Sequence, residues 1–113
     1  MEITAEPIDW VIRPDPLISV EKAFAVHVVG DSMEPRIEHG ERVYVNPALP
    51  PRRGDDVLLV NDNEPGTWKA LVKRLDRWDT DNWHVRQYSP AKEFTLKKRD
   101  WPKAFVIVSR ASR

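Results

Sequence analysis

A single, mainly β domain is the expectation for this chain, and three observations lead to it. The 113 residues suffice for one hydrophobic core and are too few for two domains of ordinary size. Ten prolines stand against only four glycines, and between them lie short runs rich in Val, Leu and aromatic side chains. Short strands joined by stiff turns have that composition, whereas a helical bundle does not.

Taken in order, residues 1–22 carry Pro7, Pro14 and Pro16 with little periodicity, which predicts an extended arm or linker, and residues 23–113 form the domain. "AFAVHVV" places Phe24, Val26 and Val28 on one face and Ala25, His27 and Val29 on the other, a strand buried on at least one side. "DSMEPRIEHG" has room for about one helical turn, ended by Gly40. "ERVYVNP" alternates as a strand through Val43 and Val45, "LPPRRGDD" is a proline-stiffened turn, and "VLLVN" is a short apolar strand. "NDNEPG" is a loop between antiparallel strands, with "TWKALVKRL" as the partner of "VLLVN". "WHVRQY" and "EFTLK" are two more strands and "AFVIVSR" closes the set, about six or seven in all.

One segment is ambiguous. Trp68, Leu71, Val72, Leu75 and Trp78 also fit the spacing of an amphipathic helix, so periodicity alone does not decide. As a helix the segment turns Lys73 into water. As a strand it puts Lys69, Leu71, Lys73 and Leu75 on one face, with Lys73 between two leucines.

Charge and residue types narrow the chemistry. The 18 basic and 18 acidic side chains cancel, so no general attraction to nucleic acid or anionic membrane is implied. The absence of cysteine excludes disulfides, a thiolate nucleophile and thiolate metal sites, and fits a reducing cytosol. No apolar run approaches the roughly 20 residues of a membrane span, and the acidic "MEITAEPIDW" is unlike a signal peptide. His27, His39 and His84 lack metal-ligand spacing, and neither metal nor cofactor is assigned.

The corner "GDSMEP" raises the functional question. On local chemistry Ser32 fits the N-cap of a short turn; it also fits a nucleophile, which requires a nearby base. Lys73 fits a solvated surface lysine; on an apolar strand face it fits a base, because desolvation penalises the ammonium and favours the free amine. Backbone N–H groups at the start of the turn could receive a developing oxyanion. Asp31, Glu34 and Glu38 fit a solvated or capping cluster. Trp68, Lys69, Arg74, Arg77, Trp78 and Trp83 suggest either packing within a sheet or a stacking platform for single-stranded nucleic acid.

The stretch "VVGDSMEPRIEHGERVYV", followed by "PRRGDDVLLV" and then "KALVKRL", resembles the C-terminal domain of LexA and of phage and prophage repressors, the LexA-like serine peptidases. The resemblance runs from about Ala23 to the closing strand. It implies a folded β-sheet or small barrel like that of LexA and the signal peptidases, with one or two short helical turns. It implies Ser32 as nucleophile and Lys73 as general base, with Met33 and Val72 shaping the site around the oxyanion. It further implies a cytoplasmic homodimer without cofactor, a RecA filament as a partner, and DNA contact only through an N-terminal helix-turn-helix domain absent here.

Family members cleave their own linker at Ala-Gly or Cys-Gly. Here the glycines follow Val29, His39, Arg53 and Pro65, so the chain holds no such bond. Two other readings share the fold: a catalytically silent dimerisation module, and a polymerase accessory of the SOS-mutagenesis type. Signal peptidases share the dyad, but the missing membrane segment counts against them. The strand "AFVIVSR", apolar on both faces, is the expected place of the dimer contact.

Overall fold

The computed structural model describes residues 8–10, 24–28, 30, 32–64 and 69–111. Eight strands are assigned among them: β1 (Ile8–Trp10), β2 (Phe24–Val28), β3 (Arg42–Asn46), β4 (Asp56–Asn61), β5 (Lys69–Trp78), β6 (Asn82–Tyr88), β7 (Ala91–Lys97) and β8 (Lys103–Ala111). They form one antiparallel sheet in the order β1-β2-β3-β8-β4-β5-β6-β7. The mainly β expectation holds, and no helix is assigned among the described residues. The arm contributes an unforeseen edge strand, since β1 pairs with β2 from Ile8↔Val28 to Trp10↔Val26.

Apolar side chains pack on both faces of the middle of this curled sheet. One cluster gathers Phe24, Val26 and Val28 of β2, Val43 and Val45 of β3, Leu58 and Val60 of β4, and Ala70 and Val72 of β5. The other gathers Val57 and Leu59 of β4, Leu71 and Leu75 of β5, Trp83 and Val85 of β6, and Trp101. Because β4 and the first half of β5 are covered on both sides, they lack the usual polar alternation, as the runs from Val57 to Val60 and from Ala70 to Val72 show. This settles the ambiguous segment in favour of the strand. A helix would bury a single stripe, whereas Ala70, Leu71, Val72, Lys73 and Leu75 are all buried.

β8 enters between β3 and β4, with Val45↔Ile107 on one side and Val57↔Val106 on the other. Phe105 and Ile107 pack against the first cluster, and Phe105 meets Phe24 edge-on at 6.0 Å between ring centroids. Val106 is buried on the opposite face, whereas Val108, at the bulge where the β3 register skips a residue, is 51% exposed. β7 is the outer edge. Lys92, Glu93 and Lys97 along it are exposed, the usual defence of an edge against pairing with another strand.

The turn from β5 into β6 is held by one carboxylate. Asp79 Oδ1 accepts hydrogen bonds from the amides of Asp81 and Asn82, each 2.9 Å, and Oδ2 lies 3.0 Å from His84 Nε2. The bond to His84, then those to the two amides, hold the Asp79 carboxyl down at about 2. A carboxylate depressed in this way stabilises the fold above its unfolded pKa, near 3.9, and ceases to do so as pH falls through about 2. Chemical denaturation at a series of pH values should therefore show a loss of stability between about pH 4 and pH 2 that is smaller in Asp79→Asn.

Candidate functional site

The corner after β2 is where the sequence places its serine, and the fold fixes it from several sides. Gly40, with φ of 90°, reverses the chain so that its amide donates to the Val28 carbonyl at 2.8 Å. The Val28 amide in turn donates to the Glu41 carbonyl at 2.9 Å. Between these ends Ile37 N donates to Met33 O at 3.0 Å, a single turn of helical type as expected for "DSMEPRIEHG". Met33 and Ile37 are each 1% exposed and anchor the turn in the first cluster. Arg36 Nε bonds Asp56 Oδ2 at 2.6 Å, and Arg110 donates to the Arg36 carbonyl. Finally, the amides of Tyr88 and Ser89 donate to the Ser32 carbonyl at 2.7 and 2.8 Å.

Held in this way, Ser32 is 8% exposed and its Oγ lies 3.4 Å from Lys73 Nζ. Lys73 is 3% exposed on β5, on the same face as Leu71 and Leu75 and opposite Val57 of β4. Its Nζ donates to Gln87 Oε1 at 2.9 Å and lies 5.2 Å from the centroid of the Phe94 ring. An amine so deeply buried loses the hydration that favours ammonium, and hydrogen bonds and the ring face replace part of it. The site is thus a hydroxyl beside a buried primary amine, the pair required for a serine to pass its proton on when it attacks a carbonyl.

The other candidates divide. Met33 and Val72 lie in the first cluster, beneath the corner and the strand that carry Ser32 and Lys73. Glu34 and Glu38 belong to the turn itself: Glu34 Oε2 accepts from His39 N at 3.2 Å and Glu38 N donates to Glu41 Oε1 at 2.9 Å. Asp31 and Trp68 lie outside the described residues. Among the described residues the tryptophans are not alike in exposure. Trp83 is buried and its indole donates to Trp101 O at 2.7 Å, while Trp78 stands 42% exposed beside it. His39 Nδ1 accepts from Gly30 N and His84 faces Asp79, and no metal-binding group of three His, Asp or Glu side chains occurs among the described residues.

Gln87 was not among the sequence candidates, although a signal existed. In β6 the buried positions alternate as Trp83, Val85 and Gln87, so a carboxamide stands where the pattern calls for an apolar side chain. The turn between Met33 and Ile37 yields a prediction. Met33→Ala should lower unfolding free energy by about 2–5 kcal/mol, measured by urea denaturation, because it empties a fully buried site under the serine corner.

Comparison with known proteins places this geometry in context. The Peptidase S24-like family profile matches residues 4–100. Repressor protein C of Rhizobium phage 16-3 is 39% identical, with the match covering 80% of this chain and 37% of that protein. Prophage repressor CohE of Escherichia coli is 26% identical, covering 85% of this chain and 37% of that protein. The chain therefore spans little more than a third of the length of these relatives. No solved structure is matched significantly. With the profile spanning most of its length, the chain belongs to the Peptidase S24-like family.

Proposed function

We propose that this chain is the C-terminal dimerisation and self-cleavage domain of a LexA-like or prophage repressor, with Ser32 as nucleophile and Lys73 as general base. The observation that supports this most is the 3.4 Å approach of Ser32 Oγ to a 3% exposed lysine amine in a chain of a peptidase family. The free amine takes the hydroxyl proton as Oγ attacks the scissile carbonyl. The ammonium then gives that proton to the departing amine, leaving an acyl-serine that water hydrolyses. Repression would require a DNA-binding region outside this chain, and such a protein would work in the cytoplasm.

Because only the free amine can accept the proton, cleavage rises with pH through the titration of Lys73. The chain holds no Ala-Gly bond, so the substrate must be supplied in trans. A peptide carrying the Ala-Gly linker bond should be cut slowly at about pH 9 to 10, and faster there than at neutral pH, because the free-amine fraction of a lysine grows with pH. Ser32→Ala and Lys73→Ala should each abolish cutting, with no further loss in the double variant. If the folded domain leaves such peptides intact at high pH, the enzymatic reading fails.

A second reading, a silent dimerisation module, draws support from the long Oγ–Nζ separation. Both readings propose a homodimer through β8. Its edges are occupied by β3 and β4, which leaves a second copy the surface around exposed Val108. Analytical ultracentrifugation should find a dimer that Val108→Glu converts to monomer, since a two-fold contact places that charge in the interface twice. A wild-type monomer at high protein concentration would refute it.

A further inference from the structure

Gln87 is 7% exposed, and its carboxamide is engaged at both ends. Oε1 accepts from Lys73 Nζ at 2.9 Å, and Nε2 donates to the Pro90 carbonyl at 3.1 Å. The second bond decides the orientation of the first: with the NH2 end committed to a carbonyl, only the oxygen can face the amine. We propose that Gln87 is a positioning residue for Lys73, holding the amine beside Ser32 Oγ. This rests on the Ser/Lys reading above.

A free amine has two N–H groups and one lone pair, and a lysine side chain has many rotamers that would aim that lone pair elsewhere. When Gln87 Oε1 holds one N–H, the rotation of the amine is confined and its nitrogen is kept beside the hydroxyl 3.4 Å away. β6 and β5 lie side by side in register, with Arg74↔Arg86 and Leu75↔Val85, so Gln87 approaches Lys73 directly across the strand pair.

The neutrality of the carboxamide matters as much as its reach. An amide oxygen accepts from both amine and ammonium and adds no net charge, whereas a carboxylate there would favour ammonium and disable the base. Among the groups that face Lys73 are Val57 from β4, the Ser32 hydroxyl from the corner, and from β7 the Phe94 ring. Lys92, also on β7, brings its ammonium to 5.2 Å from the centroid of that ring.

The test uses Gln87→Glu and Gln87→Met, read in two ways. The first is the NMR titration of the Lys73 side chain, assigned by the signal lost in Lys73→Met, and it does not depend on cutting. The second is the pH profile of peptide cleavage. Gln87→Glu should move the Lys73 midpoint and the pH profile upward together, by about one unit or more. Gln87→Met should lower kcat about tenfold to a hundredfold with KM little changed, as expected for a misaimed base. An unmoved midpoint in Gln87→Glu, or full kcat in folded Gln87→Met, would overturn the proposal.

If either variant fails to fold, Gln87→Asn carries the test. It keeps the amide but shortens it by one methylene, and should lose kcat without moving KM; unchanged kcat would count against the positioning role. Failure of the Ser/Lys reading is distinguished by Ser32→Ala. Cutting that survives this change removes the dyad, and with it the reaction Gln87 would serve, whatever the titration shows.

Discussion

Two backbone hydrogen bonds, from the amides of Tyr88 and Ser89 to the carbonyl of Ser32, join parts of the molecule that strand order keeps apart. β2 and β6 stand near opposite edges of the sheet, and only its curl brings the corner after one to the end of the other. The serine is held through its own carbonyl, so its backbone is fixed directly and not through a neighbour. The same end of β6 carries Gln87, whose amide reaches the lysine on β5. One point of closure thus sets the serine, the amine and the carboxamide relative to one another. Loosening it would separate all three.

The site also balances opposed energetic demands. Burying an amine among leucines is costly, and charged groups in such places cost several kcal/mol unless partnered. Here the cost is offset by a neutral acceptor and an aromatic face, which accommodate the amine without forcing it to remain charged. The surrounding core supplies the surplus: β4 and β5 are packed on both faces, so the strand carrying the lysine is among the best buried of the sheet. A buried amine held in one place needs a rigid strand, and a sheet centre provides one.

Much of this was legible in the sequence, for identifiable reasons. Strands β2 to β8 announced themselves through alternation or short apolar runs between turn formers, and the G-D-S-M-E-P corner stood out because an apolar strand ran straight into it. Lys73 was visible only conditionally, since Leu71, Val72 and Leu75 satisfy both periods, and burial on two faces, which decides the matter, is a tertiary property. β1 was missed because three residues in a proline-rich arm carry no period. For Trp83 the sequence left packing within a sheet and stacking on nucleic acid both open, and the side chain packs inward with Val85. Gln87 takes its meaning from the β5–β6 register, which no single strand encodes.

The placement of β8 has a kinetic consequence. It follows every other strand in sequence, yet it lies between β3 and β4. Until it arrives, β1 to β3 and β4 to β7 are two ribbons with no ladder between them, and β3 and β4 each present a bare edge. The two ladders that unite them, β3 with β8 and β4 with β8, each close a long loop, an arrangement that slows folding. During synthesis the serine corner therefore emerges well before the strand that completes the sheet around it.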